Sequence, residues 1–218
     1  MSEPTPPKIA LLLMAAGSSS RLGQPKQLIK ITKQGKHPQS LLHRQIMLMD
    51  NMCLAFNAKA YCVLGFQSKI MTEHLTSCST VQPFTLIDHD NWQQGLSSSI
   101  AKGVSVLIDE KDQNFSAVLI FFVDQWQLTV EHLTKLIAQW QQAPERIHLA
   151  CCGEHFSPPA IFPQNFFTEL KTLSGDDGAK IVIKNNSRQV NSITMPSAFV
   201  DLDTPEQLEG FINETNDK

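Results

Sequence analysis

The chain has 218 residues, 42% of them hydrophobic and 18% charged, a balance that builds a buried core and excludes a disordered or fibrous protein. Its 18 basic and 21 acidic side chains leave a net charge of −3, which excludes a bulk polyanion such as DNA as the partner. Any affinity for phosphate must then come from a local cluster of cations.

Residues 1–7 carry three prolines and no apolar signal segment, and read as a flexible N-terminal tail before a single domain over 8–218. The run from Lys8 to Met14 predicts a first strand, with Leu11 to Met14 apolar enough for the centre of a parallel sheet. Ala15-Ala16-Gly17 then removes side-chain bulk, so a ligand can approach the backbone. Ser18, Ser19 and Ser20 add hydroxyls and amides, and Arg21 and Lys26 add charge around a turn shaped by Gly23 and Pro25. Donors and two cations in a loop leaving a strand form an anion site, with phosphate the expected anion.

Residues 32–39 read as an exposed turn. Ser40 predicts an N-cap for a helix to about Met52, with Leu41, Leu42, Gln45, Ile46 and Met49 on its inner face. Strands are predicted at Lys59–Gly65 and Phe84–Asp88, with a helix between them over Gln67–Thr76. Asn91 and Gly95 mark a loop, and Ser97 to Ser99 start a helix carrying Ile100, Val104 and Leu107 inward. Such a helix start supplies amide donors and a positive dipole end.

Ser116–Val123 is the most hydrophobic run and predicts a central strand ending on Asp124. Thr129 caps a helix to about Trp140, and Arg146–Cys151 predicts a further strand. Cys152–Pro163, with Gly153, Pro158, Pro159 and Pro163, reads as irregular. A helix over Gln164–Leu173, a sharp turn at Ser174–Gly178 and a short helix from Ala179 follow. Val190–Ile193 and Ala198–Leu202 read as late strands, and Thr204-Pro205-Glu206 opens a last helix. The alternation argues a three-layer, Rossmann-like α/β domain with a mostly parallel, mixed sheet. Ligands of such sheets bind beyond the carboxyl ends of the strands, where the Ala15–Lys26 loop and Asp124 both fall.

Asp124 either caps the turn after its strand or ligates Mg²⁺, which takes oxygen ligands from one or two carboxylates and from substrate phosphates. Asp201 and Asp203 offer a second carboxylate, or only cap the final helix. Arg21 suits phosphate with its planar fork and Lys26 as a point charge; a solvated basic loop is the alternative. Lys180 either reaches a substrate phosphate or is solvated. Cys53, Cys62, Cys78, Cys151 and Cys152 form no C-x-x-C pair and read as reduced thiols of a cytoplasmic protein. The seven histidines show no ligand spacing, and no apolar run is long enough to span a membrane. Ser97–Ser99 lack a nucleophile elbow, and the first loop is neither a P-loop nor a dinucleotide fingerprint.

The segment Met14 to Lys26, MAAGSSSRLGQPK, resembles the AAG-x-S-x-R-M-G-x-x-K signature of the MobA-like nucleotidyltransferases, most closely the molybdenum cofactor cytidylyltransferase branch. Asn91–Ile100, Asp124-Gln125, Pro159–Pro163, Gly175–Lys180 and Asp201–Glu206 are similar to further segments of that family, in the same order. Leu22 stands in place of methionine, Trp126 in place of a proline, and Ser157-Pro158 in place of Gly-His or Gly-Val.

The resemblance implies transfer of CMP from CTP to the terminal phosphate of molybdopterin-bound molybdenum cofactor, releasing pyrophosphate, with Mg²⁺ or Mn²⁺ as cofactor. By the same resemblance Arg21, Lys26 and Asp124 are catalytic. Ala15, Ala16, Gly17, Ser18, Ser19 and Ser99 join Arg21 and Lys26 in binding the nucleotide. Pro159 and Lys180 serve the acceptor, and Asp124 with Asp201 or Asp203 holds the metal. GTP-using relatives carry AGG at Ala15-Ala16-Gly17, which favours a pyrimidine here. A transient contact with a molybdoenzyme or its maturation factor is also implied. The alternatives are another nucleotide, a sugar or alcohol phosphate acceptor, or a non-catalytic chaperone of a phosphorylated cofactor.

Overall fold

The computed structural model describes residues 7–31, 38–76, 80–110, 114–200, 202 and 207. The first strand, β1 (Ile9–Ala15), is buried at every position. The chain then makes the short pair β2 (Lys30–Ile31) and β3 (Gln39–Ser40) and enters α1 (Leu41–Ala55). Ser40 caps α1 as expected, its hydroxyl oxygen accepting from the His43 amide at 3.0 Å. Next come β4 (Ala58–Leu64), α2 (Ser68–Leu75), β5 (Phe84–Asp88), α3 (Leu96–Asp109) and β6 (Ala117–Phe122). The second half holds α4 (Val130–Gln142), β7 (Ile147–Cys152), β8 (His155–Pro163), α5 (Phe167–Lys171), α6 (Lys180–Asn185) and β9 (Val190–Thr194).

Seven strands form one sheet in the order β5-β4-β1-β6-β8-β7-β9. Four of its pairings are parallel, and β8 alone runs against both neighbours. The side chains of β1 alternate between two cores, as the pleat requires. Leu11 and Leu13 pack with α1, α2 and α4, whereas Leu12 and Met14 pack with α3 and α5. These are the three layers expected from the sequence.

Two expectations fail. Residues 155–163 are a full strand, not an irregular segment. The register explains how the prolines are accommodated: Leu149 opposes Ala160 and Ala150 opposes Ser157, so Pro158 and Pro159 lie in a bulge that needs no amide from either. Where a strand over Ala198–Leu202 was expected, the described residues form a 3-10 turn, Pro196–Phe199, with proline at its start. It docks against the sheet through the buried Ala198.

Cys53, Cys62, Cys151 and Cys152 are unbridged, as expected, and Cys78 lies outside the described residues. Burial pushes the Cys53 thiol up to about 11, with Asp50 adding to the effect. The expected tail over 1–7, described only at Pro7, and the final helix from Thr204 also fall essentially outside them. No helix among the described residues is long and apolar enough to cross a membrane.

Candidate functional site

A cleft of about 420 Å³ opens beyond the carboxyl ends of β1 and β6. Its walls include Ala15, Ala16, Gly17, Ser18, Arg21, Lys26, Ser99 and Asp124, which the sequence had marked from three separate segments. Trp92, Gln93, Gly95, Leu96 and Asp176 complete the wall supplied by the loop before α3 and the turn before α6.

The loop after β1 is held from behind. The Gln27 amide group, only 1% exposed, donates to the carbonyls of Ala15 at 2.9 Å and Gly17 at 2.8 Å. The Phe66 amide takes the Ala16 carbonyl at 3.0 Å. Three successive carbonyls are thereby directed at protein donors. Ser19 does not line the cleft; it takes a left-handed backbone, φ 55°, and its hydroxyl oxygen accepts from the Lys26 amide at 3.1 Å. It shapes the loop that carries the two cations.

Gly17 is instructive. Its φ lies outside the left-handed range, and a methyl added there would meet no protein atom within 4 Å. Neither backbone conformation nor protein packing demands glycine, so the space it leaves belongs to the cleft. Gly65 shows the contrasting case: a Cβ there would stand 2.6 Å from Trp92 and 2.9 Å from the Ala16 carbonyl. Its bareness brings the Trp92 wall close to the β1 loop.

Lys26 Nζ and Asp124 Oδ2 form an ion pair at 2.5 Å, with each side chain only 14% exposed, so water screens it weakly. The other carboxylate oxygen, Oδ1, is buried and has no hydrogen-bond partner among the described residues. One hard, unsatisfied oxygen beside this cleft fits a Mg²⁺- or Mn²⁺-type ion, which completes its shell with phosphate and water oxygens. Among the described residues no group of three His, Cys, Asp or Glu could hold a metal. Asp201 and Asp203 lie outside the described residues.

The three serines of α3 divide their roles. Ser97 donates to the Gly178 carbonyl at 3.1 Å and Ser98 to the Gly95 carbonyl at 2.8 Å. Only Ser99 faces the cleft. His89 lies 3.0 Å from the Ser98 hydroxyl. Burial first, then Lys102, holds this imidazole below its usual value against the opposite pull of Asp90 and Asp88.

A second cleft of about 720 Å³ adjoins the first and shares Leu96, Phe122 and Asp176 with it. Ile100, Ile120, Phe162 and Ile183 give it an apolar floor, with His155, Lys180 and Lys184 among its polar residues. Lys180 lines this cleft and is exposed; Pro159 does not line it, although Pro158 and Ala160 do. Trp126 lines neither cleft. It packs on the α1 and α4 side of the sheet, where its carbonyl accepts from Arg44 Nε at 2.7 Å. Its substitution for proline therefore does not alter a cleft wall.

Sequence reasoning missed Gln27 and gave no role to Gln125 or Asp176, although both fall in segments that resemble the family's. Gln125 is fully buried, and its side chain accepts from the Phe122 amide at 3.0 Å while donating to the carbonyls of Pro158 and Ala198. It ties β6, β8 and the 196–199 turn together directly beside Asp124. A lone glutamine next to a charged residue has no periodicity to betray it; its signal was its place in the Asp124-Gln125 pair, a segment similar to one of the family's.

Solved structures share this architecture. Rv0371c from Mycobacterium tuberculosis H37Rv superposes with a TM-score of 0.72 at 19% identity, covering 96% of this chain and all of that one. The same mycobacterial protein has also been solved in complex with manganese. The molybdopterin-guanine dinucleotide biosynthesis protein A of Archaeoglobus fulgidus gives a TM-score of 0.55 at 15% identity, covering 97% of this chain and all of that one. In sequence, 120 residues are 28% identical to the purine catabolism protein PucB of Bacillus subtilis, 54% of this chain and 56% of that protein. The match thus spans little more than half the length of this curated relative. Residues 11–190, from within β1 to the start of β9, match the MobA-like NTP transferase domain, and the chain belongs to that family of nucleotidyltransferases.

Proposed function

We propose that this nucleotidyltransferase moves CMP from CTP to the terminal phosphate of molybdopterin-bound molybdenum cofactor and releases pyrophosphate. The observation that carries the reading is the meeting of Ala15–Ser18, Arg21, Lys26 and Asp124 in one cleft, next to a larger apolar one. The first cleft suits a triphosphate. The second suits a bulky ring system with an anionic end, and the molybdopterin-guanine dinucleotide biosynthetic role of the Archaeoglobus protein supports such an acceptor.

In the reaction an oxygen of the acceptor phosphate bonds to the α-phosphorus. The bond from that phosphorus to the oxygen bridging the β-phosphate breaks, and pyrophosphate leaves with the electron pair. Arg21 and Lys26 offset the charge that builds on the phosphoryl oxygens, and the Gln27-braced loop fixes the phosphates for in-line attack. Asp124, with Asp201 or Asp203, would hold a Mg²⁺ or Mn²⁺ ion, which would supply Lewis-acid neutralisation of the same charge. Ala16 is 5% exposed and joins the core beside Met14. Ala16 also lines the first cleft, where the GTP-using relatives carry glycine, and this difference supports cytidine over a purine.

The test is CTP-dependent pyrophosphate release with the pterin acceptor. Lys26→Ala and Asp124→Ala are expected to abolish it, and full activity in both would overturn the mechanism. Thermal shifts with CTP, GTP, UTP and ATP in Mg²⁺ check the donor. A cognate ligand at a hundred times its dissociation constant stabilises the fold by about 2.7 kcal/mol. A shift with another triphosphate and none with CTP would move the reading to that nucleotide.

A further inference from the structure

Three residues belong to both clefts: Leu96, Phe122 and Asp176. Asp176 is the charged one, and the fold goes to some length to place it. The Ser97 amide donates to the Gly175 carbonyl at 3.0 Å, and the Ser97 hydroxyl to that of Gly178 at 3.1 Å. These bonds fasten the 175–178 turn to the start of α3. Gly95 has φ 98°, and a Cβ there would stand 2.2 Å from Asp176 Oδ1 and 2.4 Å from the Gly175 carbonyl oxygen. The carboxylate therefore rests on bare backbone, in a position that any side chain at 95 would block.

A carboxylate in a nucleotide cleft repels phosphate and accepts hydrogen bonds from neutral donors. The phosphates belong with Arg21 and Lys26 on the β1 loop. The second cleft must meet the first at the α-phosphorus, where the acceptor attacks. The part of a nucleoside triphosphate bonded to the α-phosphate is the ribose; the base lies one unit further away. The donors that reach a residue shared by both clefts are thus the ribose hydroxyls.

We infer that Asp176 is a specificity residue that accepts hydrogen bonds from the ribose hydroxyls of the bound nucleotide, selecting ribonucleotides over analogues that lack one of those hydroxyls. The inference rests on the reading of the first cleft as the triphosphate site.

Isothermal titration of the full chain with CTP, 2′-deoxy-CTP and 3′-deoxy-CTP in Mg²⁺ tests it. If GTP, UTP or ATP binds more tightly than CTP, that nucleotide and its deoxy analogues are used instead. The wild type is expected to favour the ribonucleotide about tenfold or more over at least one deoxy analogue, the size of a hydrogen bond to a charged group. Asp176→Ala should bring that ratio to about one by weakening the ribonucleotide more than the analogue, since only the ribonucleotide loses the charge-assisted bond to the hydroxyl that the analogue lacks. Asp177→Ala, whose side chain lines the second cleft alone, should keep the wild-type ratio. Asp176 is exposed, so its truncation leaves the core untouched, and an unchanged unfolding temperature confirms it. Equal wild-type affinity for all three ligands, or a preference that survives in Asp176→Ala, overturns the inference and leaves the triphosphate site standing. If none of the four ribonucleoside triphosphates binds, both fall together.

Discussion

Gln27 shows how one side chain can set a binding loop. Its amide nitrogen satisfies two carbonyls of the β1 loop, Ala15 and Gly17, from a position sealed off from solvent. Gln27→Leu keeps the volume and removes both bonds. It is expected to destabilise the fold by about 1–3 kcal/mol, the cost of leaving buried acceptors unsatisfied. Urea denaturation measures that loss, and nucleotide affinity should fall with it because the loop loses its brace. The cations and the carboxylate of this site were legible in the sequence because charge at a strand end is conspicuous. Gln27 was not: a neutral polar residue between Lys26 and Leu28 looks like any loop residue until the fold closes over it.

Among the elements, the helices and parallel strands followed from local pattern. The Ser40 cap and the apolar run of β6 are signals carried by a few neighbouring residues. The strand β8 was not legible, because its prolines forbid regular pairing and the compensating bulge depends on β7. Its lock is equally non-local. The Gln125 side chain joins β6 to β8 and to the 196–199 turn, and Gln45 Nε2 donates to the Gln125 backbone carbonyl at 2.9 Å. Gln125→Leu should lower stability by about 1–3 kcal/mol through these unsatisfied groups. Hydrogen exchange adds a local readout: the Phe122 amide, which loses its acceptor, should lose protection more than amides at the centre of β1. Equal loss at both places would point to global unfolding instead.

For the molecule as a whole, acid sensitivity follows from three histidines. His74, His89 and His148 are each held below their ordinary value, in every case chiefly by burial. His148 is fully buried, with Nε2 lying 3.0 Å from the Ala143 carbonyl. Below the ordinary imidazole value the unfolded chain binds protons that the folded chain refuses, so stability rises with pH there. Their contribution is complete above about pH 6.5 and is lost as the pH falls below it. Urea midpoints should drop between about pH 7.5 and about pH 5.5, and His148→Gln should flatten that drop. An unchanged slope in the variant would remove His148 from the account.

The direction of β8 has a consequence for how this protein can diversify. Because β8 runs against its neighbours, its beginning, from His155 to Pro158, reaches the second cleft, with Ala160 and Phe162 following along the same cleft. That beginning is joined to β7 by only Gly153 and Glu154, and a Cβ on Gly153 would meet no atom within 4 Å. A hairpin tip of this kind accepts extra residues without disturbing the sheet. The β1 loop sits elsewhere, under its own brace. Descendants of this chain can therefore lengthen one turn and change what they modify while inheriting unaltered the means of handling the donor, so the two halves of the reaction are free to evolve at different speeds.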